Sequence, residues 1–290
     1  MLATLKEVLE KAEQGNYAVG AFNCTSLESG MAIVETAEEL NSPVILQYAD
    51  SHRHLIFIDV IGPIMLQLAK IAKVPVVVHL DHGASIESCR HAVDMGFTSV
   101  MYDASAKPFE DNVAETRSVV EYAHERGASV EAELGHILTS KAGAAEGNGK
   151  SYTREEAYTD PEMAKEFIER TNVDALAIGF GTAHGIYTEK PVLDLNRIAL
   201  IKSAKDIPYV MHGGSGLSEE EYRTAIHNGI RKINYYTYLS LAGGRGVMQY
   251  LEDKKDKDAI YFEDIAKAGI TAMKADVKRA MKIFESDGKI

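Results

Sequence analysis

The sequence predicts an α/β protein, a single (β/α)8 TIM barrel over residues 1–290 with an N-terminal helix and a long C-terminal helical extension. Three observations predict it. Eight short runs rich in Val, Ile, Ala, Phe and Tyr recur along the chain. Helical patterns separate them, which implies βαβ units and a parallel sheet. No composition break or Pro/Gly/Ser-rich linker divides the chain, and a barrel of this kind takes about 250 residues. An open doubly wound sheet shares the alternation, because strand count does not show closure. No Gly-x-Gly-x-x-Gly follows the first strand, however, which counts against a dinucleotide fold.

Taken in order, the opening MLATLKEVLEKAEQGNY places Leu2, Leu5, Val8, Leu9 and Ala12 at helical spacing with charges between them. That is an amphipathic helix, not a signal peptide. The strands are VGAFN (19–23), PVILQ (43–47), VPVVVHL (74–80), FTSVMYD (97–103), ASVEAEL (128–134), VDALAIGF (173–180), IPYVMHGG (207–214) and RKINYY (231–236). Helical patterns cover 27–40, 59–72, 85–95, 110–126, 160–171, 194–205 and 218–229. Residues 135–159 form a long Gly/Ala-rich connection after the fifth strand, and loops of that length are usually functional lids or disordered segments. EDKKDKDA (252–259) is a charge run expected as a solvated loop, and 260–286 reads as a final amphipathic helix.

The net charge is −12, and no block of Lys or Arg stands out. Nucleic acid and anionic membranes are therefore excluded as expected partners, while a local basic pocket for a small anion stays open. Cys24 and Cys89 are the only cysteines, which gives no disulfide framework and no CxxC knuckle. They read as reduced thiols of a cytosolic protein. With no run of 18 apolar residues, the expectation is a soluble, cytoplasmic chain.

In a (β/α)8 barrel the working groups sit at the C-terminal ends of strands. The polar residues there are Asn23, Gln47, Asp81 with His82, Asp103 with Ser105, Glu133, His184, His212 and Asn234. Each of three histidines stands beside glycine (DHG, AHG, MHGG), which lets backbone or ligand approach closely. Three imidazoles and an open position are what a catalytic Zn2+ needs, although imidazole also suits Fe, Co and Ni. Asp81, Asp103 and Glu133 are then candidates for base, ligand-orienting carboxylate or alternate ligand. A second theme is phosphate. HGGSGLSEEEY (212–222) sets Gly213, Gly214, Ser215 and Gly216 ahead of a helix that Ser218 is placed to cap, and KINYYT (232–237) adds Asn234 and Thr237. Glycine N–H groups at such a turn cradle anions, and loops after strands seven and eight are the recurrent phosphate site of these barrels.

With AFN, PVILQ, HLDHG, MYDAS, PFEDNV, VEAELG, YTDPE, GTAHGIY, HGGSG and KIN..T in order, the chain resembles the class II, metal-dependent ketose-bisphosphate aldolases, which include fructose- and tagatose-bisphosphate aldolases. The resemblance implies that His82, His184 and His212 bind one catalytic Zn2+ per subunit and that Asp81 is the acid/base residue. It places Asp103 and Glu133 near the metal as alternate ligands or orienting carboxylates. Gly185, Gly213, Gly214, Ser215, Asn234 and Thr237 match positions that hold dihydroxyacetone phosphate, and Asn23 joins this substrate-binding set. A sugar phosphate is the implied small-molecule partner, a homodimer or homotetramer the implied assembly, and many members bind Na+ or K+ beside the phosphate. Cleavage between C3 and C4 of a ketose leaves charge on an enediolate, which a divalent ion stabilises as a Lewis acid. A second acid/base group belongs on the loop after strand five; Glu146 is the only carboxylate in its middle, although the usual Gly-Gly-x-Glu-Asp pattern is missing.

Other departures concern the far end of the substrate. Ala49 and Asp50 replace the usual Ser-Glu pair after strand two, and no Asp-Pro-Arg occurs in KDAIYFEDI to grip a distal phosphate. His52, Arg53 and His54 are the replacement charges nearby. Fructose 1,6-bisphosphate is the default substrate. Tagatose 1,6-bisphosphate, a ketose 1-phosphate and a phosphorylated deoxy-keto-gluconate are the alternatives. A metal-dependent hydrolase is disfavoured because strand one ends in GAFNC without His-x-His, and a Schiff-base aldolase because Lys73 and Lys232 fall at strand starts. A non-catalytic sugar-phosphate sensor would not need the intact Asp81 and histidines. Within VVVHLDHG, alternation puts His79 and Asp81 on one face and His82 on the other. The resemblance implies that the strand has ended by His82, with Gly83 easing the turn and His79 left as a hydrogen-bonded core histidine.

Overall fold

The computed structural model describes residues 1–139, 153–187, 189–254 and 259–290. Eight parallel strands close into a barrel. They are β1 (Val19–Asn23), β2 (Val44–Ala49), β3 (Val76–Gly83), β4 (Ser99–Tyr102), β5 (Ser129–Leu134), β6 (Ala175–Ile178), β7 (Tyr209–Met211) and β8 (Ile230–Tyr235). Around the ring each strand pairs with its sequence neighbours, and β1 closes on β8 through Val19↔Lys232 and Ala21↔Asn234. The predicted closure is therefore realised, and the open sheet is not. Outside the barrel, Leu138–Thr139 and Ala183–His184 form a separate parallel pair.

The alternation of each strand divides its side chains between two cores. Val76, Val78 and Leu80 face outward into the layer beneath the surrounding helices, whereas Val77 faces the barrel axis. Val19, Ala21, Ile45, Met101, Ala175, Ala177 and Val210 join Val77 there. The N-terminal helix α1 (Leu5–Gly15) seals this inner core from below with Leu5, Val8, Leu9 and Ala12. A capping box between Thr4 and Glu7 starts α1, and left-handed Asn16 ends it. Full burial of a leucine such as Leu9 contributes about 2 kcal/mol. Inside the barrel, then, apolar layers fill the bottom and polar residues gather toward the C-terminal mouth.

The remaining helices are α2 (Leu27–Leu40), α3 (Ile58–Ile71), α4 (Ile86–Met95), α5 (Phe109–His124), the short α6 (Arg154–Ala157), α7 (Pro161–Thr171), α8 (Leu195–Ala204), α9 (Glu219–Asn228), α10 (Thr237–Asp253) and α11 (Phe262–Ile283). A 3-10 turn, Asp50–His54, follows β2. Helix α10 has no counterpart among the helical patterns of the sequence. Gly243, Gly244 and Gly246 obscure its periodicity, because glycine is a poor helix former. The structure uses two of these glycines for contact with α11. A Cβ on Gly246 would lie 2.4 Å from Ala272 Cβ and 2.9 Å from Ala268 O, and one on Gly243 would lie 3.1 Å from Met273 Cγ, whereas Gly244 faces open space. The charge run begins as the last turn of α10, and its residues 255–258 lie outside the described residues. Helix α11 returns along α10 and α2, and Phe284 beyond its end packs against Tyr235 and Tyr222. Among the described residues no helix is long and apolar enough to cross a membrane.

Candidate active site

The polar mouth starts from β3. Here the expectation that the strand ends at His82 is corrected: β3 runs to Gly83, and its pairing with β4 shifts register between Leu80 and Gly83. His82 sits in this bulge with φ +46°, a left-handed conformation that is uncommon away from glycine. Such irregularities re-aim a side chain without ending the ladder. Two residues that alternation would place on opposite faces, Asp81 and His82, are thus brought together, with 4.0 Å between Asp81 Oδ1 and His82 Nε2. Gly83 matters for space: a Cβ there would fall 2.6 Å from both Cys89 Sγ and Met101 O.

His212 follows β7 directly, while His184 stands on the Ala183–His184 pair, several residues beyond β6. The imidazole of His82 lies 4.6 Å from that of His212 and 5.3 Å from that of His184, with 5.9 Å between the latter two, centroid to centroid. One ligand atom from each of the three lies within 4.8 Å of the others; the same holds for the set His82, Asp103 and Glu133. Gly213 makes the close approach possible. Its φ is +64°, and a Cβ would meet the backbone of Ala183 at 2.6 Å. Tyr187 ties the two loops together, its hydroxyl donating to Gly213 O at 2.7 Å and accepting from Ala183 N at 2.9 Å.

Whether these residues suit a metal ion can be read from their hydrogen bonds. Asp103 Oδ2 lies 2.9 Å from His82 Nδ1, and Glu131 Oε1 lies 2.9 Å from His212 Nε2. A carboxylate only accepts, so each of those nitrogens carries the proton. The nitrogens left over, His82 Nε2 and His212 Nδ1, lie 2.8 Å apart, so either a proton on His82 or a metal ion must stand between them. A cation belongs between them. Charge points the same way, since among the described residues the buried carboxylates Asp81, Glu131 and Glu133 and the half-buried Asp103 gather here with the buried ammonium of Lys232. Burial alone would lower the pKa of His82, but Asp81, Asp103 and Glu133 outweigh it and hold it well above its ordinary value. Burial and the neighbouring cationic groups push His212 well below. The donor set fits Zn2+.

Asp81 is held from three sides. Asn234 Nδ2 donates to Oδ1 at 2.9 Å, and Gln47 Nε2 to Oδ2 at 3.2 Å. Asn23 Nδ2 stands at 3.5 Å from Oδ2, and Gln47 also donates to Asn23 Oδ1. Burial pushes the Asp81 carboxyl up, but the imidazoles of His82 and His212 and the ammonium of Lys232 overcome it and bring it down to about 2. His79 is a buried core histidine, with Nδ1 2.8 Å from Ser99 Oγ.

On the far side of the mouth, Gly213, Gly214, Ser215 and Gly216 form a turn with positive φ at Gly213 and Gly216, and Gly185 is left-handed as well. Ser218 caps α9 as expected, but Glu221 closes the capping box, so the chain itself fills that helix N-terminus. Thr237 is instead the first residue of α10, whose N-terminus has no side-chain cap. Asn234 faces inward between Asp81 and Lys232. After β2, Asp50 Oδ2 accepts from Ala84 N at 3.0 Å, and the His52 ring lies 4.5 Å from that of Tyr236. Arg53 and His54 are exposed beside them. Glu146 lies outside the described residues.

Two residues escaped the sequence reading. Glu131 lies within β5, and Lys232 is not at a strand start but inside β8, fully buried and 2.8 Å from Glu131 Oε2. The signal was present in both strands: Glu131 shares a face with Glu133, and Lys232 with Asn234, two residues apart.

Comparison with known proteins gives this barrel and its mouth a family. The family described as fructose-bisphosphate aldolase class-II matches residues 3–289. A fructose-bisphosphate aldolase from Geobacillus stearothermophilus is 41% identical over 292 residues, 99% of this chain and 98% of that protein. One from Staphylococcus aureus is 39% identical over 261 residues, 88% of each. The crystal structure of the YdjI aldolase from Escherichia coli K12 superposes with a TM-score of 0.85 at 34% identity, covering 100% of this chain and 99% of that one. The chain belongs to the class II fructose-bisphosphate aldolase family. It is an aldehyde-lyase of the class that generally depends on zinc.

Proposed function

We propose that residues 1–290 act as one zinc-dependent aldolase domain that reversibly cleaves a ketose 1-phosphate framework to dihydroxyacetone phosphate and an aldehyde. The observation that carries this is the convergence of His82, His184 and His212, one ligand atom of each within 4.8 Å of the others, with the Asp81 carboxylate 4.0 Å from His82. Fructose 1,6-bisphosphate, giving glyceraldehyde 3-phosphate, is the default substrate. His82, His184 and His212 would hold the Zn2+, and Asp103, with Glu133, would orient the ligands or exchange with them. When bound, the ion supplies Lewis-acid stabilisation of the charge that develops on the ketose carbonyl oxygen.

The chain's own groups do the rest. Asp81, ionised at neutral pH, takes the proton of the C4 hydroxyl as the C3–C4 bond breaks, and the electron pair stays with the dihydroxyacetone-phosphate half. Asn234, Gln47 and Asn23 fix the carboxylate so that no reorganisation is needed as the proton moves. Glu146, on the loop after β5, is the proposed partner for the C3 proton. Backbone N–H groups at Gly185, Gly213, Gly214 and Ser215, with Thr237 at the open N-terminus of α10, receive the phosphate. On the same family ground the proposal includes Na+ or K+ beside the phosphate, a homodimer or homotetramer and a cytoplasmic setting.

The distal half favours one refinement. Ala49 and Asp50 stand where the family usually has Ser-Glu, and KDAIYFEDI lacks the Asp-Pro-Arg that grips a distal phosphate. His52, Arg53 and His54 are the charges nearby, and Asp50 is already tied to Ala84 N. A ketose 1-phosphate with another tail, tagatose 1,6-bisphosphate and a phosphorylated deoxy-keto-gluconate are therefore tested beside the default. Zinc-loaded protein is given each sugar while dihydroxyacetone phosphate release is followed, with and without EDTA. We expect release that EDTA abolishes and added zinc restores. Cleavage surviving complete metal removal would overturn the proposal, as would failure of loaded protein to cleave any of these sugars.

A further inference from the structure

Beneath the site lies a charged pair that nothing in the cleavage step uses. Glu131 and Lys232 are both completely buried, on β5 and β8, directly above the apolar layers that α1 seals. Lys232 Nζ lies 2.8 Å from Glu131 Oε2 and donates to Asn234 Oδ1 at 2.8 Å. The other oxygen of Glu131 accepts from His212 Nε2 at 2.9 Å. Asn234 in turn donates to Asp81 Oδ1 at 2.9 Å. One ion pair therefore ends in two arms, one on a histidine and one on the proposed base.

A buried ion pair is poor value as a stabiliser, since the desolvation of both charges offsets their attraction. Its geometry suits positioning. The Glu131 arm fixes the proton of His212 on Nε2 and leaves Nδ1 as an acceptor toward His82, with Asn234 Nδ2 also 3.3 Å from it. Without Lys232, that carboxylate would add another uncompensated charge to the acidic surroundings of the site. The Lys232 arm fixes the Asn234 carbonyl, so the amide N–H must point at Asp81. Lys232 is too enclosed to meet a substrate carbonyl, which also sets this chain apart from a Schiff-base aldolase.

We infer that Glu131 and Lys232 are positioning residues: Glu131 sets the tautomer and aim of His212, and Lys232 balances Glu131 while orienting Asn234 against Asp81. The inference rests on the zinc site proposed above, and its first readout is zinc affinity, which needs no substrate. Full-length Glu131→Gln, Lys232→Met and the double variant are stripped of metal, and zinc Kd is measured by competition with a chromogenic chelator. Thermal melting reports folding. Glu131→Gln is expected to weaken zinc by about 10- to 100-fold. Lys232→Met should weaken it less and lower kcat at nearly unchanged KM. The double variant removes both charges, and should regain the melting temperature lost by either single variant while its zinc affinity stays low. Wild-type zinc affinity and kcat in a folded double variant would overturn the inference and leave the pair structural only. If wild-type protein binds zinc through this site yet cleaves no ketose phosphate, the aldolase proposal fails while the Glu131 arm is still decided by the zinc measurement.

Discussion

Asp81 and His212 share His82 and Asn234 as neighbours but have separable tasks. Asp81 carries no proton at neutral pH, because the surrounding cationic groups outweigh its burial. Asp81→Ala should lower kcat by about 100- to 10,000-fold, as expected for loss of a general base, and keep zinc at full stoichiometry. His212→Ala should instead lose bound zinc by metal analysis, and zinc persisting at full stoichiometry would contradict the ligand assignment. Gly213 acts through shape. At φ +64° and 2.6 Å from the Ala183 backbone, it has no room for a methyl group. Gly213→Ala should cost about 1–3 kcal/mol in denaturant unfolding and push the His184 and His212 loops apart.

Among the elements, α1 and β3 do the most unusual work. Helix α1 closes the bottom of the barrel with Leu5, Val8, Leu9 and Ala12, far from the mouth. Leu9→Ala should destabilise the chain by about 2–5 kcal/mol and leave zinc stoichiometry at that of the wild type, as measured by unfolding and metal analysis. Strand β3 shows how one hydrophobic strand carries three polar groups with different surroundings. Its lower half alternates regularly, with His79 bonded to Ser99, and its upper half bulges so that His82 turns beside Asp81. Helix α10 supplies a different service: Gly243 and Gly246 admit α11, and Thr237 begins the helix without a side-chain cap.

For the molecule as a whole, polarity is layered along the barrel axis. Apolar side chains fill the bottom, the Glu131–Lys232 pair lies at the boundary, and the acid-rich histidine cluster occupies the mouth. A fold that gathers Asp81, Asp103, Glu131 and Glu133 around three convergent histidines should be stabilised by a divalent cation held among them. Zinc at a thousandfold over its Kd is worth about 4 kcal/mol to the folded state. Removal by EDTA should therefore lower the melting temperature in scanning calorimetry, and a stripped protein that melts unchanged would speak against zinc in this site.

By itself the sequence determined the architecture and singled out residues that the structure gathers at the barrel mouth. Alternating strand and helix patterns are local, so the eight strands were legible from side-chain periodicity, and Asp81, His82, His184 and His212 from their places near strand ends beside glycine. Local pattern could not supply three things. The glycine-rich α10 has no apolar stripe to announce it, because its packing comes from closeness to α11. The direction of His82 depends on a register shift against β4, a relation between two strands. Glu131 and Lys232 sit about a hundred residues apart and looked like ordinary strand charges, since only barrel closure turns both inward to pair, Glu131 also onto His212 and Lys232 onto Asn234.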